Sequence, residues 1–319
     1  MDYNKEFYSC SILEDGLSFD RIGVTMCCCS FDKSGEGIIP YNGGELPIQK
    51  ILERKEKIRQ LNQTPERSNN CRGCGNLTLK KWRENKYLFN KLTITHTAHC
   101  QLKCFYCYNS DEGFVSENFG QVYNLFPVIK ELYENKQLSP DSFIFWGGGE
   151  PTILKEFEEL IDFFNTEGNF RQRLNTNGVK LSEYLSNHPL KEGSDMTCSV
   201  DSATRETYHK IKGVDCSDKV WSNLEKYAKL QPAFTVKYIV MQENLHEVEL
   251  FAKRAKSIGI KRVMYDLNHK ASEQNDEVIN AVVTLIRLCN ENGIITIPAT
   301  PGLTYLGEKV KTKIENLLK

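Results

Sequence analysis

No apolar run in the chain approaches the roughly eighteen residues of a membrane-spanning helix, and the opening "MDYNKEFYSC" lacks the basic-then-apolar layout of a secretory signal. Net charge is missing as well: 41 basic residues face 42 acidic ones. No bulk field therefore draws the protein to nucleic acid or to a membrane surface. These absences lead us to expect a cytoplasmic protein with neither a nucleic-acid nor a membrane partner. The 319 residues, 40% hydrophobic, are enough for a sizeable core, and the length suits one large domain with a smaller one.

Cysteine is plentiful, with twelve in the chain. In a reducing compartment clustered thiols are more often metal ligands than disulfides. Nine precede residue 108: Cys10, the run Cys27-Cys28-Cys29, the pair Cys71 and Cys74 in "CRGC", and Cys100, Cys104 and Cys107 in "CQLKCFYC". Cys198, Cys216 and Cys289 are scattered and read as small buried hydrophobes.

After residue 90 the pattern alternates. "KLTIT" and "SFIFW" read as strands, as do 171–175, 196–200, 234–240 and 262–266. Helices are predicted between them at 121–137, interrupted or begun by Pro127, and at about 181–187, 219–230 and 247–257. Phe157, Leu160, Ile161 and Phe164 lay one apolar stripe on a further helix, and Val278, Val282, Leu285, Ile286 and Cys289 lay another near the end. Repeated β-α units imply right-handed crossovers and a parallel sheet, so the expected class is α/β, a barrel or partial (β/α)6 TIM-like barrel. The expected domains are 1–89, rich in cysteine; 90–270, the barrel; and 271–319, an extension closing it.

Active sites of such folds gather at the carboxyl ends of strands. The cysteine trio, "GGGEPT" (147–152), "NTNG" (175–178), "SVDS" (199–202) and Asn244 all follow predicted strands. Three thiols on one short loop suit a cubane iron–sulfur cluster with one iron left open to a small molecule. A zinc site completed by His99 is the alternative, although structural zinc more often takes two separated ligand pairs.

Cys100-x3-Cys104-x2-Cys107 after the first strand, followed by "GGGEPT", resembles the radical S-adenosylmethionine (SAM) superfamily over about residues 90–270. The resemblance implies a four-iron four-sulfur cluster on Cys100, Cys104 and Cys107. That cluster gives an electron to bound SAM and so releases a 5′-deoxyadenosyl radical that takes hydrogen from substrate. By the same resemblance Tyr106 matches the position whose backbone meets adenine. Gly148, Gly149 and Glu150 match the segment receiving the methionine ammonium, and Asn177, Ser199, Lys237 and Asn244 match polar positions that hold ribose or carboxylate. The chain departs from the family in having Gln101 where Asn is frequent and Lys212 where Arg is frequent. Asp201 or Ser202 reads equally as the cap of a following helix.

The first ninety residues resemble the auxiliary-cluster module called Twitch, half of SPASM, set before the barrel instead of after it. This implies a second four-iron four-sulfur cluster on Cys10, Cys27, Cys71 and Cys74, with Cys28 the rival to Cys27. Thiol spacing alone leaves a structural zinc open. A second cluster can accept an electron from a substrate radical, which favours a two-electron oxidation, with Asp201, Asp266 or His269 as candidate bases. The expected substrate is a small molecule such as a carbohydrate or nucleotide-sugar, since no spare segment for binding a peptide leader is evident; peptide modification is the alternative. A flavodoxin or ferredoxin is the expected reductant.

Overall fold

The structure is a computed structural model, and it describes residues 2–21, 23–27, 37–69, 71–107, 123–268, 276–299 and 308–319. The chain divides into two compact units, residues 1–99 with 116–173 and residues 100–115 with 174–319.

In the first unit β1 (Glu6–Ser9) precedes the short helix α1 (Ser11–Asp15), and β2 (Gly16–Asp20) with β3 (Gly23–Thr25) forms an antiparallel hairpin, followed by β4 (Ile38–Ile39). Next come α2 (Ile48–Leu61), β5 (Thr78–Lys81), β6 (Phe89–Thr95), α3 (Phe126–Glu134), β7 (Leu138–Trp146) and α4 (Phe157–Thr166). β6 pairs in parallel with both β7 and β2. The N-terminal stretch thus supplies a strand to the same sheet as the first predicted barrel strand. β1 and β5 form a separate antiparallel ribbon.

α3 is shorter than the predicted 121–137 and starts around Pro127, whose missing N–H costs nothing in a first turn. Residues 121 and 122 lie outside the described residues. The stripe foreseen on α4 is buried in full, and Trp146 of β7 meets Phe157 and Phe164 edge-on at 5.3 and 5.9 Å. Each aromatic contact of this kind adds about 0.5–1.5 kcal/mol to the area buried.

β8 (Arg171–Thr176) crosses the division, and the second unit holds β9 (Asp195–Ser199), α5 (Arg205–Lys212), α6 (Ser217–Leu230), β10 (Phe234–Val240), α7 (Val248–Ser257), β11 (Arg262–Leu267), α8 (Asp276–Glu291), β12 (Ile295–Pro298) and α9 (Glu308–Leu318). β9, β10, β11 and β12 lie side by side, all parallel. The α/β class with parallel sheet read from the alternation is what the chain adopts.

Two local readings differ. The predicted helix at 181–187 is a single turn, with Ser186 N–H on the Ser182 carbonyl, and Pro189 lies just beyond. Ser182 Oγ accepts from Leu185 N–H as an N-cap does, and Pro189, which disfavours helical backbone in the residue before it, ends the segment. β12 was not foreseen because "IITIP" is too short to declare a period. Cys198 and Cys289 are buried as expected of small hydrophobes, while Cys216 is half-buried.

Candidate metal and cofactor site

The thiol loop is built within the second unit. Lys103 N–H donates to the Lys212 carbonyl at 2.8 Å and Phe105 N–H to the Ile211 carbonyl at 3.2 Å, so the loop uses acceptors that the end of α5 leaves free. Gly213 follows with φ +70°, and a Cβ there would stand 2.9 Å from Lys103, which is why a glycine closes this helix. Within the loop Cys107 N–H meets the Cys104 carbonyl at 3.0 Å. Leu102 N–H and Asn177 Nδ2 both point at Cys100 Sγ, at 3.4 and 3.3 Å. The same Asn177 amide reaches Gln101 Oε1 at 3.1 Å, and its Oδ1 accepts from Val179 N–H. Donors aimed at a sulfur suit a thiolate bound to metal.

Behind the loop lies a buried polar triad. Tyr106 donates its hydroxyl proton to Asp201 Oδ2, and the Lys212 ammonium contacts both that carboxylate and, at 2.7 Å, the Tyr106 oxygen. Asp201 Oδ1 accepts from Ile239 N–H at 2.7 Å. Burial works against the charge of Lys212, but Asp201, followed by Tyr106, holds its pKa well above the ordinary lysine value; burial, reinforced by Asp201, raises the Tyr106 phenol. Cys104 packs against Tyr106, Ile211, Ile239 and Met241. Burial pushes its thiol up to about 11, with Lys212 pulling the other way. Burial therefore favours the neutral Cys104 thiol near neutral pH.

Asp201 has φ +59° and is not a helix cap, nor is Ser202; Thr204 caps α5 by accepting from Thr207 N–H. Asp201 sits too far ahead of the first turn, and its carboxylate is committed to the triad. Asn244 is bound internally: its Nδ2 donates to the Asp201 and Ile239 carbonyls at 2.8 Å, and its Oδ1 accepts from Met241 N–H. Lys237 and Asp266 form an ion pair at 3.3 Å across β10 and β11, the lysine 24% exposed and the aspartate 2%. Ser199 stands beside Lys237 in register. His269 lies outside the described residues.

In the first unit the turn at 147–150 is pressed against the chain at 95–99. Gly149 N–H meets the Thr97 carbonyl and Glu150 N–H the His99 carbonyl, both at 2.8 Å. A Cβ on Gly149 would stand 2.2 Å from the His99 oxygen, and one on Gly148, at φ +84°, 2.8 Å from the Thr97 oxygen. Close approach of backbone to backbone explains both glycines. Glu150, 1% exposed, caps the following short helix by accepting from Thr152 N–H and Oγ1.

The N-terminal thiols also share a neighbourhood in this unit. Cys10 caps α1, accepting from Leu13 N–H at 3.4 Å, and Asn62 Nδ2 points at Cys71 Sγ at 3.2 Å. Cys74 N–H closes a turn onto the Cys71 carbonyl. Burial raises the Cys10 thiol, and Cys74 adds to the rise; burial raises the Cys71 thiol, and Cys10 and Cys74 add to it. The half-buried Cys27 follows β3; Cys28 lies outside the described residues. Among the described residues no three His, Cys, Asp or Glu side chains form a ready metal cage.

The sequence reading missed the buried partners of this scaffold. Glu247 accepts from Ala203 N–H and from the Thr204 hydroxyl, and His96 pairs with Glu156 at 3.2 Å. Glu247, three residues past Asn244 in "NLHEVE", carries no spacing signal that separates it from a solvated helix residue.

Fold and site together define an α/β protein of parallel strands with a three-thiol loop directly after one of them. Residues 94–255 match the family model of the Radical SAM superfamily, and the chain belongs to that superfamily. Among curated relatives it is 24% identical over 175 residues to a probable GTP 3′,8-cyclase of Saccharolobus islandicus, covering 54% of each chain. It is 26% identical over 174 residues to the mycofactocin maturase MftC of Mycobacterium tuberculosis, covering 53% of this chain and 42% of that one. The chain spans about half the length of the curated relatives it matches. Among solved structures, Streptococcus suis SuiB bound to the precursor peptide SuiA is similar with TM-score 0.52 at 12% identity, over 88% of this chain and 60% of that one. Hexahistidine-tagged anSMEcpe with bound AdoMet is similar with TM-score 0.50 at 18% identity, over 65% and 60%. At these identities the likeness shows the fold. Superfamily membership implies a four-iron four-sulfur cluster and SAM. No helix among the described residues is long and apolar enough to cross a membrane.

Proposed function

We propose that the chain is a radical SAM enzyme that carries out a net oxidation of its substrate, with Cys100, Cys104 and Cys107 holding the cluster that meets SAM. The observation that carries this reading is the loop itself: three thiols, two donors already directed at Cys100 Sγ, and a backbone docked on the end of α5. When bound, cluster and cofactor supply a carbon radical able to take a hydrogen atom from substrate. The triad of Tyr106, Asp201 and Lys212 keeps the loop in place, and Asn177 fixes Cys100 against Gln101. Gly148, Gly149 and Glu150 form the turn assigned to the methionine ammonium, and Ser199 and Lys237 the polar positions at strand ends. Asn244 serves this rim by shaping its backbone. Of the candidate bases, Asp201 is committed to three partners inside the triad, which leaves Asp266, paired with a partly exposed Lys237, as the one we retain.

Cys10, Cys71 and Cys74, with Cys27 as the fourth, are read as holding an auxiliary four-iron four-sulfur centre able to accept the electron left on substrate. Residues 1–89 then act as an auxiliary module that also lends a strand to the sheet, 90–270 as the catalytic part, and 271–319 as an extension. A small acidic carrier such as flavodoxin or ferredoxin would supply the priming electron.

For the substrate, a small molecule remains the first reading; the match to a GTP cyclase favours a nucleotide over a free carbohydrate, for which the relatives' names give no support. Similarity to a maturase and to a peptide-bound SuiB favours a peptide as the second. Anaerobic protein is assayed for iron and for 5′-deoxyadenosine after dithionite, beside a Cys100/Cys104/Cys107→Ala variant. About eight irons falling to four, with release only from wild type, are expected. Release from the variant would overturn the assignment.

A further inference from the structure

The buried face of α2 contains a residue that does not belong in an apolar stripe. Ile51, Lys55 and Ile58, with Asn62 at the helix end, repeat at four-, three- and four-residue intervals, and all four are buried. Lys55 is 1% exposed. Its ammonium lies 5.3 Å from the centre of the Phe89 ring and has no hydrogen-bond or ion-pair partner among the described residues. The charged groups around it are Arg59 on its own helix, Glu14 and Asp15 on α1, and Cys10 at the start of α1.

Neither carboxylate bonds to it, although both attract it across the interior and Asp15 Oδ1 accepts no hydrogen bond of its own among the described residues. Glu14 receives Arg59 Nε at 2.8 Å, the Ser9 hydroxyl at 2.5 Å and the Tyr3 hydroxyl at 3.3 Å; Asp15 faces Lys91 at 3.7 Å and Asn90 at 3.5 Å. A lone ammonium in such a place is expensive, and burial, with Arg59 adding to it, brings its pKa down to about 7. The metal-free chain thus buries a cation that no anion among the described residues contacts directly.

The same helix face leads to the thiols. Asn62, seven residues beyond Lys55 and so about 10 Å further along one face, donates to Cys71 Sγ, while Cys10 begins the helix that packs on the other side. Thiolates around a divalent metal or a cubane cluster leave a net negative centre, and a one-electron reduction makes it more negative.

We propose that Lys55 is the buried counter-charge of a metal–thiolate centre held by Cys10, Cys71 and Cys74, and that it raises the reduction potential of that centre. This rests on reading those thiols as metal ligands. A fixed positive charge in a low-dielectric interior favours the more negative oxidation state, which is what an electron-accepting centre needs.

The test uses the full chain, anaerobically reconstituted with iron and sulfide, as wild type, Lys55→Met, Lys55→Arg and Cys71→Ser. Metal content, midpoint potentials from titrations followed by electron paramagnetic resonance, and melting temperatures with and without metal are compared. Lys55→Met is expected to shift one midpoint to more negative potential, and Lys55→Arg to leave it near wild type. Metal-free Lys55→Met is expected to melt no lower than metal-free wild type, whereas the stabilisation gained from metal shrinks. If the centre holds zinc, the claim on reduction potential falls, and the melting comparison decides the counter-charge role alone. Unchanged midpoints at full iron content, or an equal melting loss with and without metal, would overturn the counter-charge role. Should Cys71→Ser keep the wild-type content of iron and zinc, the thiols hold no metal and both readings fall; should it lose metal while Lys55→Met changes nothing, only this proposal falls.

Discussion

The two thiol sets are supported in opposite ways. Cys100, Cys104 and Cys107 share one eight-residue loop, and the buried cation in their seat, Lys212, is already paired with Asp201. Cys10, Cys71 and Cys74 are gathered from segments some sixty residues apart in sequence, and the cation beside them, Lys55, is unpaired. A loop that carries its own spacing can be seated on a neutral scaffold before metal arrives. Dispersed thiols depend on the fold to bring them together, and the cation beside them has no direct anionic partner among the described residues. The difference teaches that the first seat is a matter of shape and the second a matter of charge.

Breaking the neutral scaffold should have the largest effect. Lys212→Met leaves Asp201 charged and buried without its ion, a loss of about 3–5 kcal/mol in the free energy of urea unfolding. Adding Asp201→Asn should recover much of that loss, and Lys212→Arg alone should lose far less. If Lys212→Met unfolds like wild type, the contrast between the two seats is wrong. A smaller loss tests the root of the loop: Gly149→Ala drives a Cβ onto the carbonyl of His99, the residue before Cys100, and should cost about 1–3 kcal/mol by the same measurement.

Taken per pH unit, the smallest effect belongs to Lys55, and it appears only as a pH slope. Its folded pKa of about 7 lies below the ordinary 10.5, so between these values the unfolded chain binds more protons. Stability of the metal-free protein should therefore rise with pH across that window, by at most about 1.4 kcal/mol per unit. Below about pH 7 both states hold the proton and the penalty is complete. Arg59, Glu14, Asp15 and Cys10 are the charges that set this value, and Lys55→Met should remove the slope.

Much of this was legible from sequence where one period or one short spacing carried the signal. The stripe on α4, the face of α8 and the strands from β6 to β11 follow from alternation, and the class of protein follows from the thiol loop and the glycine turn. What escaped was set by partners distant in the chain. Asp201 looked like a helix cap because caps are local, yet its backbone turns left-handed to meet Tyr106, Lys212 and Ile239. Lys237 and Asp266 each read as a separate site residue, and only neighbouring strands make them a pair. Lys55 was invisible, since a lysine on an amphipathic helix is assigned to water unless Ile51 and Ile58 on the same stripe are weighed against it.

The docking of residues 103 and 105 on the end of α5 also has a temporal meaning. Tyr106 and Lys212 are separated by 106 positions. A ribosome delivers the cysteines well before it delivers the helix end they rest on, so for that interval the nascent thiols have no seat. Any metal taken by the seated form of this loop therefore waits until residue 212 has emerged.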